Sequence, residues 1–526
     1  MLATLDDLIT QQAQRTPESP ALRLKDTTLS YRELNEAIDR AASAFIAAGI
    51  KSNDRVAVYL PKTLEAVITL FAASRASAVF VPINPLLKPA QVSYILNDCH
   101  VRLVVTSSDR THLLKDVINT CPYLSDIVLT DSKPGPEVAS VCFTTWSTFS
   151  ETPKAQFPKR IDSDLAAILY TSGSTGNPKG VVLTHRNMLT GAQSVASYLK
   201  NTSDDVLLAV LPLSFDYGLS QLTTAFHVGA SVVLMDYLLP RDVIKAVSRY
   251  SITGLAGVPP LWNQLAQLDW PEETRRTLRY ITNSGGAMPV STTKLFREKL
   301  PTTKIYLMYG LTEAFRSTFL PPEEVDIRPE SMGKAIPNAE VLVLREDGSE
   351  CDIDEPGELV HRGPLVSLGY WNDPAKTAVR FKPIPTGGCT EVPLTEIAVW
   401  SGDRVKKDKD GYLYFISRAD EMIKTSGYRV SPTEVEEVVY ASGLAKELVA
   451  IGAKHPQLGE AIILILVTDT EIETSEFVRY FQRNLPAYMH PKHYVHVTEL
   501  PRNQNGKIDR KMLAEQYSNH FMELES

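Results

Sequence analysis

The sequence predicts an α/β protein with a large, multi-subdomain N-terminal domain built on parallel-type sheets and a small α+β domain at the C-terminus. The chain of 526 residues is too long for a single hydrophobic core. Its first part alternates short apolar segments with helical patterns, which is the rhythm of βαβ units. From about residue 420 helices and strands follow one another more closely. We therefore expect two domains, residues 1–419 and 420–526.

The N-terminal elements can be placed from caps and periodicity. Ser30 and Glu33 have the spacing of a capping box, and apolar residues then recur at helical intervals until Gly49. The residues that follow predict a strand at 54–60, a helix at 63–74 and a strand at 78–83. Further strands are predicted at 103–106, 127–130, 206–211 and 231–235. Two stretches, 134–157 and 382–397, have only weak patterns.

The C-terminal elements predict a small independent core. Apolar periodicity indicates helices at 432–441 and 475–484. Strands are predicted at 447–452, 461–468 and 494–498.

Composition narrows the class of protein. The net charge of -8, without a basic block, argues against a nucleic-acid partner. The N-terminus has no basic segment followed by an apolar run, and no stretch is apolar enough to span a membrane, so we expect a cytoplasmic protein. An odd number of scattered cysteines without a CxxC pair indicates a reducing compartment and no structural zinc: Cys99, Cys121, Cys142, Cys351 and Cys389.

A loop at 170–180 is the most informative stretch. It reads Tyr-Thr-Ser-Gly-Ser-Thr-Gly-Asn-Pro-Lys-Gly and follows an apolar strand at 165–169. Glycines let backbone N–H groups approach an anion, and the hydroxyls and Lys179 add donors and a positive charge. It is not a Walker loop, because Lys179 is followed by Gly180 rather than Ser or Thr. The loop predicts a polyphosphate site; the alternative is a Gly/Ser-rich surface loop.

Two further motifs follow predicted strands. The sequence Tyr-Gly-Leu-Thr-Glu at 309–313 comes after a strand at 304–308, and it offers a hydroxyl and a carboxylate, which suit phosphate and Mg²⁺. The sequence Ser-Gly-Gly-Ala at 284–287 follows a strand at 278–282, and its small residues permit a flat ring to approach. Each motif alone could be an ordinary turn.

Later residues add charged candidates. Asp403 ends the sequence Trp-Ser-Gly-Asp, and its carboxylate can accept two hydrogen bonds from a vicinal diol. Arg418 follows in Ile-Ser-Arg-Ala-Asp, and both residues could instead be surface charges. The segment 424–429 reads as a turn before a helix that starts near Pro432. Lys507 lies in the polar sequence 500–509, where the alternative is a solvated lysine.

Taken in order, these motifs resemble those of the adenylate-forming superfamily, which includes acyl-CoA synthetases, luciferases and the adenylation domains of peptide synthetases. The resemblance covers nearly the whole chain. It implies that ATP and Mg²⁺ convert a carboxylic acid to an acyl-adenylate with release of pyrophosphate, and that the acyl group then passes to a thiol. It also implies that the small domain rotates about Asp420 between these two steps.

The resemblance assigns roles residue by residue. Lys507 would reach the α-phosphate and the substrate carboxylate, Thr312 would touch the α-phosphate, and Glu313 would bind Mg²⁺. Tyr309 would stack on adenine, Asp403 would accept from the ribose, and Gly427 would let a pantetheine arm pass. The implied nucleotide-binding residues are Thr171, Ser172, Gly173, Ser174, Thr175, Gly176, Lys179, Gly285, Gly286, Ala287, Tyr309, Gly310, Asp403 and Arg418.

The acyl pocket is indicated by Asp216, which ends a Ser-Phe-Asp sequence. That sequence resembles amino-acid-activating domains, in which the aspartate pairs with the substrate ammonium; the alternative is an Asp that caps a helix from Gly218 onward. Arg316 can point outward, pair with Asp216 or bind a polar substrate group. The remaining pocket candidates are mostly small or medium-sized, which favours a compact substrate: Tyr217, Ser220, Leu261, Thr282, Ser284, Met308 and Ser317.

The resemblance is mixed. Leu311 stands where peptide-synthetase domains usually have Pro, and residues 423–432 look like those of acyl-CoA synthetases. No carrier domain follows, so we expect a stand-alone enzyme, a monomer or weak dimer. The first hypothesis is a ligase that activates a small amino acid, with L-proline as first choice, and loads the phosphopantetheine of a separate carrier protein. The alternatives are a coenzyme A ligase for a small aryl or alkyl acid, and a nucleotide-binding protein without catalysis, which would need neither Lys507 nor Glu313.

Overall fold

The structure is a computed structural model, and it describes residues 2–131, 133, 135–136, 141–171, 178–384, 395–418, 421–425, 428–456, 458–468, 474–485, 487–503 and 506–523. Within these ranges, no helix is both long enough and apolar enough to cross a lipid bilayer.

The helices are numbered in chain order. They are α1 (Asp7–Arg15), α2 (Tyr31–Ala47), α3 (Leu64–Arg75), α4 (Pro89–Asp98), α5 (Ser108–Ile118), α6 (Trp146–Ser150), α7 (His185–Leu199), α8 (Asp216–Val228), α9 (Pro240–Arg249), α10 (Pro259–Ala266), α11 (Glu272–Thr277), α12 (Val290–Lys299), α13 (Pro374–Arg380), α14 (Pro432–Ser442), α15 (Thr474–Asn484), α16 (Arg510–Gln516) and α17 (His520–Glu523). Short 3₁₀ turns lie at Thr312–Ala314 and Ala487–Met489.

The strands are numbered in the same way. They are β1 (Pro20–Leu24), β2 (Thr27–Ser30), β3 (Arg55–Tyr59), β4 (Val79–Pro82), β5 (Val101–Thr106), β6 (Asp126–Leu129), β7 (Cys142–Thr145), β8 (Leu165–Thr171), β9 (Lys179–Thr184), β10 (Val206–Ala209), β11 (Ser231–Leu234), β12 (Gly254–Gly257), β13 (Tyr280–Asn283), β14 (Lys304–Tyr309), β15 (Thr318–Leu320), β16 (Ser331–Ala335), β17 (Glu340–Leu344), β18 (Gly357–Arg362), β19 (Phe381–Pro383), β20 (Ile397–Lys407), β21 (Leu413–Arg418), β22 (Ile423–Thr425), β23 (Tyr428–Val430), β24 (Glu447–His455), β25 (Gly459–Val467) and β26 (His493–His496).

The N-terminal part contains two sheets in the described residues. One has the strand order β7-β6-β5-β3-β4-β8-β9 and is parallel except for the antiparallel pair β8–β9. The other runs β17-β18-β20-β21-β16-β15-β14-β13-β12-β10-β11-β1-β2, with β19 paired to β20. In this second sheet, adjacent strands are parallel along the run β1, β11, β10, β12, β13 and β14. The pairs β14–β15, β15–β16 and β16–β21 are antiparallel.

The C-terminal part has its own sheet, with β22, β24 and β26 all paired to β25. Helix α14 packs on β24 and also contacts α12 and β21 of the larger part. Two clusters of buried apolar residues cover the faces of this sheet, one under α14 and α15 and the other under α16 and α17. The small part therefore has a core of its own, as the sequence predicted.

Most predicted elements are confirmed. Ser30 caps α2 by accepting from the backbone N–H of Glu33, whose side chain returns a bond to Ser30. The βαβ unit appears as β3, α3 and β4, with Thr63 capping α3. In the small part, α14, β24, β25, α15 and β26 follow the predicted order.

The structure adds detail at three places. Residues 134–157, which have only a weak sequence pattern, include β7 and α6, where Thr145 caps the short helix. The helix expected from Gly218 begins at Asp216, so this aspartate is its first residue, and Phe215 occupies the N-cap position without a side-chain capping bond. The strand expected at 494–498 spans His493–His496, where it pairs in parallel with β25.

Candidate active site

Four neighbouring parallel strands, β10, β12, β13 and β14, end at one edge of the large sheet, which we call the carboxyl edge. The loops that follow these strands carry most of the predicted acyl-pocket and catalytic residues: Asp216 after β10, Leu261 after β12, Ser284 to Ala287 after β13, and Thr312 and Glu313 after β14. Ligands in open α/β sheets bind at this edge because loops from several strands converge there.

Lys507 reaches this edge from the small part of the chain. Its Nζ lies 5.0 Å from the centre of the Phe215 ring. A Cβ built on Gly285 would lie 2.7 Å from the Lys507 Cε atom, so the lysine passes directly over this glycine. Burial lowers the pKa of Lys507, whereas the Asp216 carboxylate raises it. The ammonium group thus stands beside the carboxyl edge rather than in bulk solvent.

The carboxylate of Glu313 is oriented by an aromatic hydroxyl. Tyr370 donates a hydrogen bond from its OH to Oε1 of Glu313 at 2.6 Å. Lys179, at the start of β9, holds its Nζ 5.1 Å from the centre of the same tyrosine ring. Burial lowers the pKa of Lys179, and the Glu313 carboxylate opposes that effect. One carboxylate and one lysine are therefore held at the end of the predicted phosphate loop.

Positive charge gathers around Lys179. The Arg380, Lys376 and Arg418 side chains each contribute to lowering the Lys179 pKa. Arg380 also packs on Gly402, where a Cβ would collide with its guanidinium group. A cluster of cations near one carboxylate suits a bound polyphosphate, because each charge would be offset by the ligand.

Asp403 has both carboxylate oxygens in hydrogen bonds. Tyr309 donates its hydroxyl proton to Oδ2 at 2.5 Å, and Arg418 donates from Nε to Oδ1 at 3.1 Å. Burial and the Asp403 charge raise the pKa of Tyr309 well above its usual value. Three residues that the resemblance assigned to the nucleotide site thus form one connected group.

The glycine turn after β13 presents little side chain. Gly285 has a φ of +81°, a conformation in which a side chain would be strained. Gly286 and Ala287 are exposed, whereas Ser284 is buried at the end of the strand. The small residues leave the carboxyl edge open beside Lys507, as a pocket for a flat ring requires.

Asp216 and Arg316 form a buried ion pair. Nη1 of Arg316 lies 3.3 Å from Oδ2 of Asp216, and the two side chains are only 2% and 4% exposed. Burial raises the pKa of Asp216, while Arg316 and then Lys507 act in the opposite direction. Of the three arrangements that the sequence left open for Arg316, the structure shows pairing with Asp216.

Aromatic rings enclose the guanidinium of Arg316. Its Cζ lies 4.7 Å from the centre of the Tyr217 ring and 5.8 Å from that of Phe315. Phe315 has φ +56° and ψ -41°, an uncommon conformation for a residue with a side chain. Its ring packs where a Cβ on Gly191 of α7 would stand. Because Phe315 adopts this conformation, the side chain of Arg316 points toward Asp216 and does not continue along the 3₁₀ turn at Thr312–Ala314.

The other predicted pocket residues are buried. Tyr217 is hydrogen-bonded to Thr282, and the sulfur of Met308 accepts from the hydroxyl of Tyr198 at 3.0 Å. Ser317 is hydrogen-bonded to Nδ1 of His361 at 2.9 Å. Leu261 is buried on α10, and Ser220 is buried on α8, where its Oγ has no hydrogen-bond partner in the part of the chain that the structure describes. A Cβ on Gly310 would approach the Arg316 Cα to 3.3 Å, so the small residue permits the tight turn.

Some predicted site residues cannot be located. Thr171 and Thr312 are described, but Ser172, Gly173, Ser174, Thr175, Gly176, Asp420 and Gly427 lie outside the described residues. Conversely, the structure adds Phe215, Tyr370 and Arg380, which the sequence did not suggest. Phe215 is the middle residue of the Ser-Phe-Asp motif and could have been inferred, whereas Tyr370 and Arg380 lie in segments without a recognisable pattern.

Among the described residues, no three His, Cys, Asp or Glu side chains gather as a metal site. Mg²⁺ commonly takes one or two protein carboxylates and completes its shell with water and substrate phosphates. Glu313, oriented by Tyr370 near Lys179, is consistent with that donor set.

Curated relatives of this chain include two kinds of protein. Gramicidin S synthase 2 of Aneurinibacillus migulanus is 29% identical over 517 residues, which is 97% of this chain but only 11% of that protein. The chain thus spans about a tenth of that relative's length. The long-chain-fatty-acid–CoA ligase of Escherichia coli O157:H7 is 29% identical over 549 residues, covering 98% of this chain and 94% of the ligase.

Solved structures share the fold of this chain over nearly its whole length. An anthranilate CoA ligase, AuaEII, in complex with anthranoyl-AMP has a TM-score of 0.87, with 98% of both chains covered; at 23% identity it establishes the fold alone. ATP-bound MatB from Rhodopseudomonas palustris has a TM-score of 0.86 at 25% identity, covering 98% of this chain and 99% of MatB. The o-succinylbenzoate CoA synthetase MenE of Bacillus subtilis, with its acyl-adenylate intermediate, has a TM-score of 0.82 at 26% identity, covering 96% and 97%.

Family models match both parts of the chain. The description "AMP-binding enzyme" applies to residues 9–371, and "AMP-binding enzyme C-terminal domain" applies to residues 434–507. The first match alone spans more than half of the sequence, and it includes Lys179, the glycine turn at Gly285 and Glu313. The chain belongs to the AMP-binding enzyme family.

Proposed function

We propose that this protein is an AMP-forming ligase that activates a small carboxylic acid with ATP and transfers the acyl group to a pantetheine thiol. The observation that carries the proposal is the position of Lys507. This lysine belongs to the small C-terminal part, yet it lies over Gly285 and close to Phe215 at the carboxyl edge of the large sheet. A lysine brought across in this way suits a reaction in which negative charge develops beside that edge.

In the first step, a carboxylate oxygen of the acid attacks the α-phosphorus of ATP. A new bond forms between that oxygen and phosphorus, the bond to the bridging oxygen of the β-phosphate breaks, and pyrophosphate leaves. Lys507 would offset charge on the α-phosphate and on the entering carboxylate. Lys179, with Arg380 and Lys376 nearby, would hold the outer phosphates.

Glu313 is the proposed magnesium ligand. Bound Mg²⁺ would neutralise phosphate charge during displacement of pyrophosphate. The hydrogen bond from Tyr370 orients the Glu313 carboxylate, as partners of metal ligands commonly do. Thr312, the neighbouring residue, is proposed to contact the α-phosphate.

For the nucleotide, we propose that Asp403 accepts from the ribose hydroxyls and that Tyr309 lies against adenine. Gly285, Gly286 and Ala287 would form one wall of the adenine site. The hydroxyl-rich loop around Thr171 is proposed to bind the phosphates.

In the second step a thiol attacks the acyl carbon, AMP leaves with the carboxyl oxygen that carried it, and the thiol proton passes to solvent or to AMP. We propose domains 1–419 and 420–526, with rotation about Asp420 admitting the thiol past Gly427.

The acid itself has two candidate classes. Asp216 lies buried at the pocket, where it would bind the ammonium of an amino acid, with L-proline as the first choice from the sequence and a carrier protein as acceptor. Arg316 already supplies a cationic partner to this carboxylate, which favours an acid without an amine and coenzyme A as acceptor. We therefore keep amino-acid activation as the second candidate.

The test is acid-dependent exchange of labelled pyrophosphate into ATP. The panel holds the twenty amino acids beside short alkyl, oxo, dicarboxylic and aryl acids, and Lys507→Ala is the matched inactive control. Exchange with at least one acid, lost in Lys507→Ala, supports the proposal. Absence of exchange with every acid, in protein that binds ATP, would contradict it and favour a nucleotide-binding role.

A further inference from the structure

Arg316 is a buried cation with unused hydrogen-bond donors. Its side chain is 2% exposed. Nη1 donates to Asp216, but Nε and Nη2 have no hydrogen-bond partner among the residues that the structure describes. Buried donors are normally satisfied, and a guanidinium presents five N–H groups in a fixed plane. An arginine that leaves two nitrogens unpaired among the predicted acyl-pocket residues therefore points to a ligand.

The two unpaired nitrogens are adjacent on the guanidinium. Nε–H and Nη2–H lie along one side of the group and point in the same direction, so they can donate parallel hydrogen bonds to one or two oxygen atoms. The Asp216 contact uses the remaining nitrogen, so the carboxylate does not block this edge. The Tyr217 and Phe315 rings lie around the guanidinium and keep it away from water.

The neighbouring groups also bear on the type of ligand. Ser220 stands one helical turn after Asp216 on α8, and its Oγ is buried with no hydrogen bond to any described residue. Asp216 is offset by Arg316, and Lys507 brings a further positive charge close to the same carboxylate. A substrate ammonium would add a third positive charge beside Arg316 and Lys507, against the single negative charge of Asp216. An oxygen acceptor would instead bind the unpaired N–H groups of Arg316.

We infer that the acid activated by this enzyme carries a second oxygen acceptor, a carbonyl or carboxylate, at the end opposite to the reacting carboxyl group, and no amine. The inference rests on the proposed function, because Arg316 is assigned to the acyl pocket of that reaction. The free edge of Arg316 receives the acceptor, and Asp216 holds the guanidinium in place. Arg316 is thereby the residue that distinguishes such acids from simple alkyl or aryl acids.

The experiment compares matched acids of equal chain length. For each length from four to eight carbons, pyrophosphate exchange is measured with the linear acid, the oxo acid, the dicarboxylic acid and the amino acid, and benzoate is set against its acetyl and carboxyl derivatives. Thermal protection by each acid is measured in parallel, since it does not require turnover. We expect oxo or dicarboxylic acids to exceed the plain acid in kcat/KM by at least about 10²-fold, because a site built to hydrogen-bond a group rejects analogues that lack it.

Two variants identify the residue responsible. Arg316→Met with Asp216→Asn removes the donors and the charge of its partner together, which avoids leaving a buried carboxylate unpaired. Its preference for the acceptor group, measured as the ratio of kcat/KM values for acceptor-bearing and plain acids, is expected to fall to about 10-fold or less. Asp216→Asn alone keeps an acceptor for Arg316 and is expected to retain the preference.

The outcomes separate the inference from the proposed function. Equal rates for plain and acceptor-bearing acids, or exchange with amino acids alone, would overturn the inference while the ligase stands. A preference that persists in the double variant would also overturn it, because another residue would then read the acceptor. No exchange and no thermal protection with any acid would contradict the proposed function and the inference together.

Discussion

Arg316 and Asp216 contact each other across 3.3 Å although they are one hundred residues apart in the sequence, and both are almost fully buried. The pair changes what a substitution of Asp216 would measure. Removing one partner of a buried ion pair leaves the other charge without compensation, which is far more damaging than replacing both. Loss of activity in an Asp216 variant would therefore not by itself reveal an ammonium-binding role.

The first prediction concerns stability. Asp216→Ala is expected to lower the free energy of unfolding by about 3–5 kcal/mol, because Arg316 stays buried and charged. Asp216→Leu combined with Arg316→Met is expected to recover most of that loss. Denaturant unfolding followed by tryptophan fluorescence measures both. Equal losses in the single and double variants would show that the ion pair is not what the single variant disrupts.

The second prediction concerns Lys507. Lys507→Ala is expected to slow adenylate formation by about 10²-fold or more, since a charge-stabilising donor is lost. Transfer from a preformed acyl-adenylate to the thiol is expected to proceed at nearly the normal rate. Single-turnover assays of each step separate the two effects. Lys511→Ala, which removes an exposed lysine close by in sequence, is the control. Equal slowing of both steps would count against the proposed role.

The third prediction concerns the hydroxyl group that orients Glu313. Tyr370→Phe removes the bond to Oε1 but keeps the ring, which packs edge-on against Phe381 with 5.6 Å between ring centres. The Mg²⁺ concentration for half-maximal exchange is expected to rise by about 10- to 100-fold, as is typical when a partner of a metal ligand is removed. Tyr123→Phe, at a half-exposed position, is the control. An unchanged Mg²⁺ dependence would exclude Glu313 as the ligand or Tyr370 as its partner.

The fourth prediction concerns pH. Burial lowers the pKa of His361 to about 4, below its value of 6.5 without burial. Between pH 6.5 and 4 the unfolded chain therefore binds a proton that the folded protein excludes, so stability falls as the pH decreases through that range. One pKa unit corresponds to 1.36 kcal/mol, which gives a loss of about 3 kcal/mol from this residue.

His361→Gln is expected to reduce that acid-side loss, because an amide can still bond to Ser317 but does not titrate. His185, whose pKa is also lowered to about 4 by burial, should retain its own contribution. Thermal melts from pH 7 to pH 4.5 test this. A variant with the same pH dependence as the unchanged protein would show that His361 is not responsible.

Much of the fold followed from local patterns. The capping box at Ser30 and the apolar rhythm around β3, α3 and β4 depend on residues close in sequence, so they could be predicted. The antiparallel strands β15 to β21 could not be predicted in the same way, because their pairing joins segments far apart. The pair β16–β21 links Ser331 to Tyr414, for example.

The candidate site shows the same difference between residues that lie in local motifs and residues whose positions depend on contacts between distant segments. The sequence brought Lys507, Glu313 and Asp403 forward because each lies in a recognisable motif, although their roles stay proposals. The orientation of Arg316 could not be predicted, since it depends on a positive φ at Phe315, and most residues with side chains avoid that region. Tyr370 was missed because its contact with Glu313 spans 57 positions.

The hydrogen bonds of Asp403 have a consequence for energetic coupling. Arg418, which holds one oxygen of Asp403, is the last residue of β21 and precedes the proposed hinge by two positions. If the proposed ribose contact uses the same lone pair of this oxygen as Arg418, the two bonds exclude each other. By thermodynamic reciprocity, whatever breaks the bond from Arg418 to Asp403 would then raise the affinity for nucleotide, and nucleotide would in turn weaken this contact next to the proposed hinge. Ribose binding at Asp403 and loss of the bond from Arg418 would then be coupled in a single equilibrium.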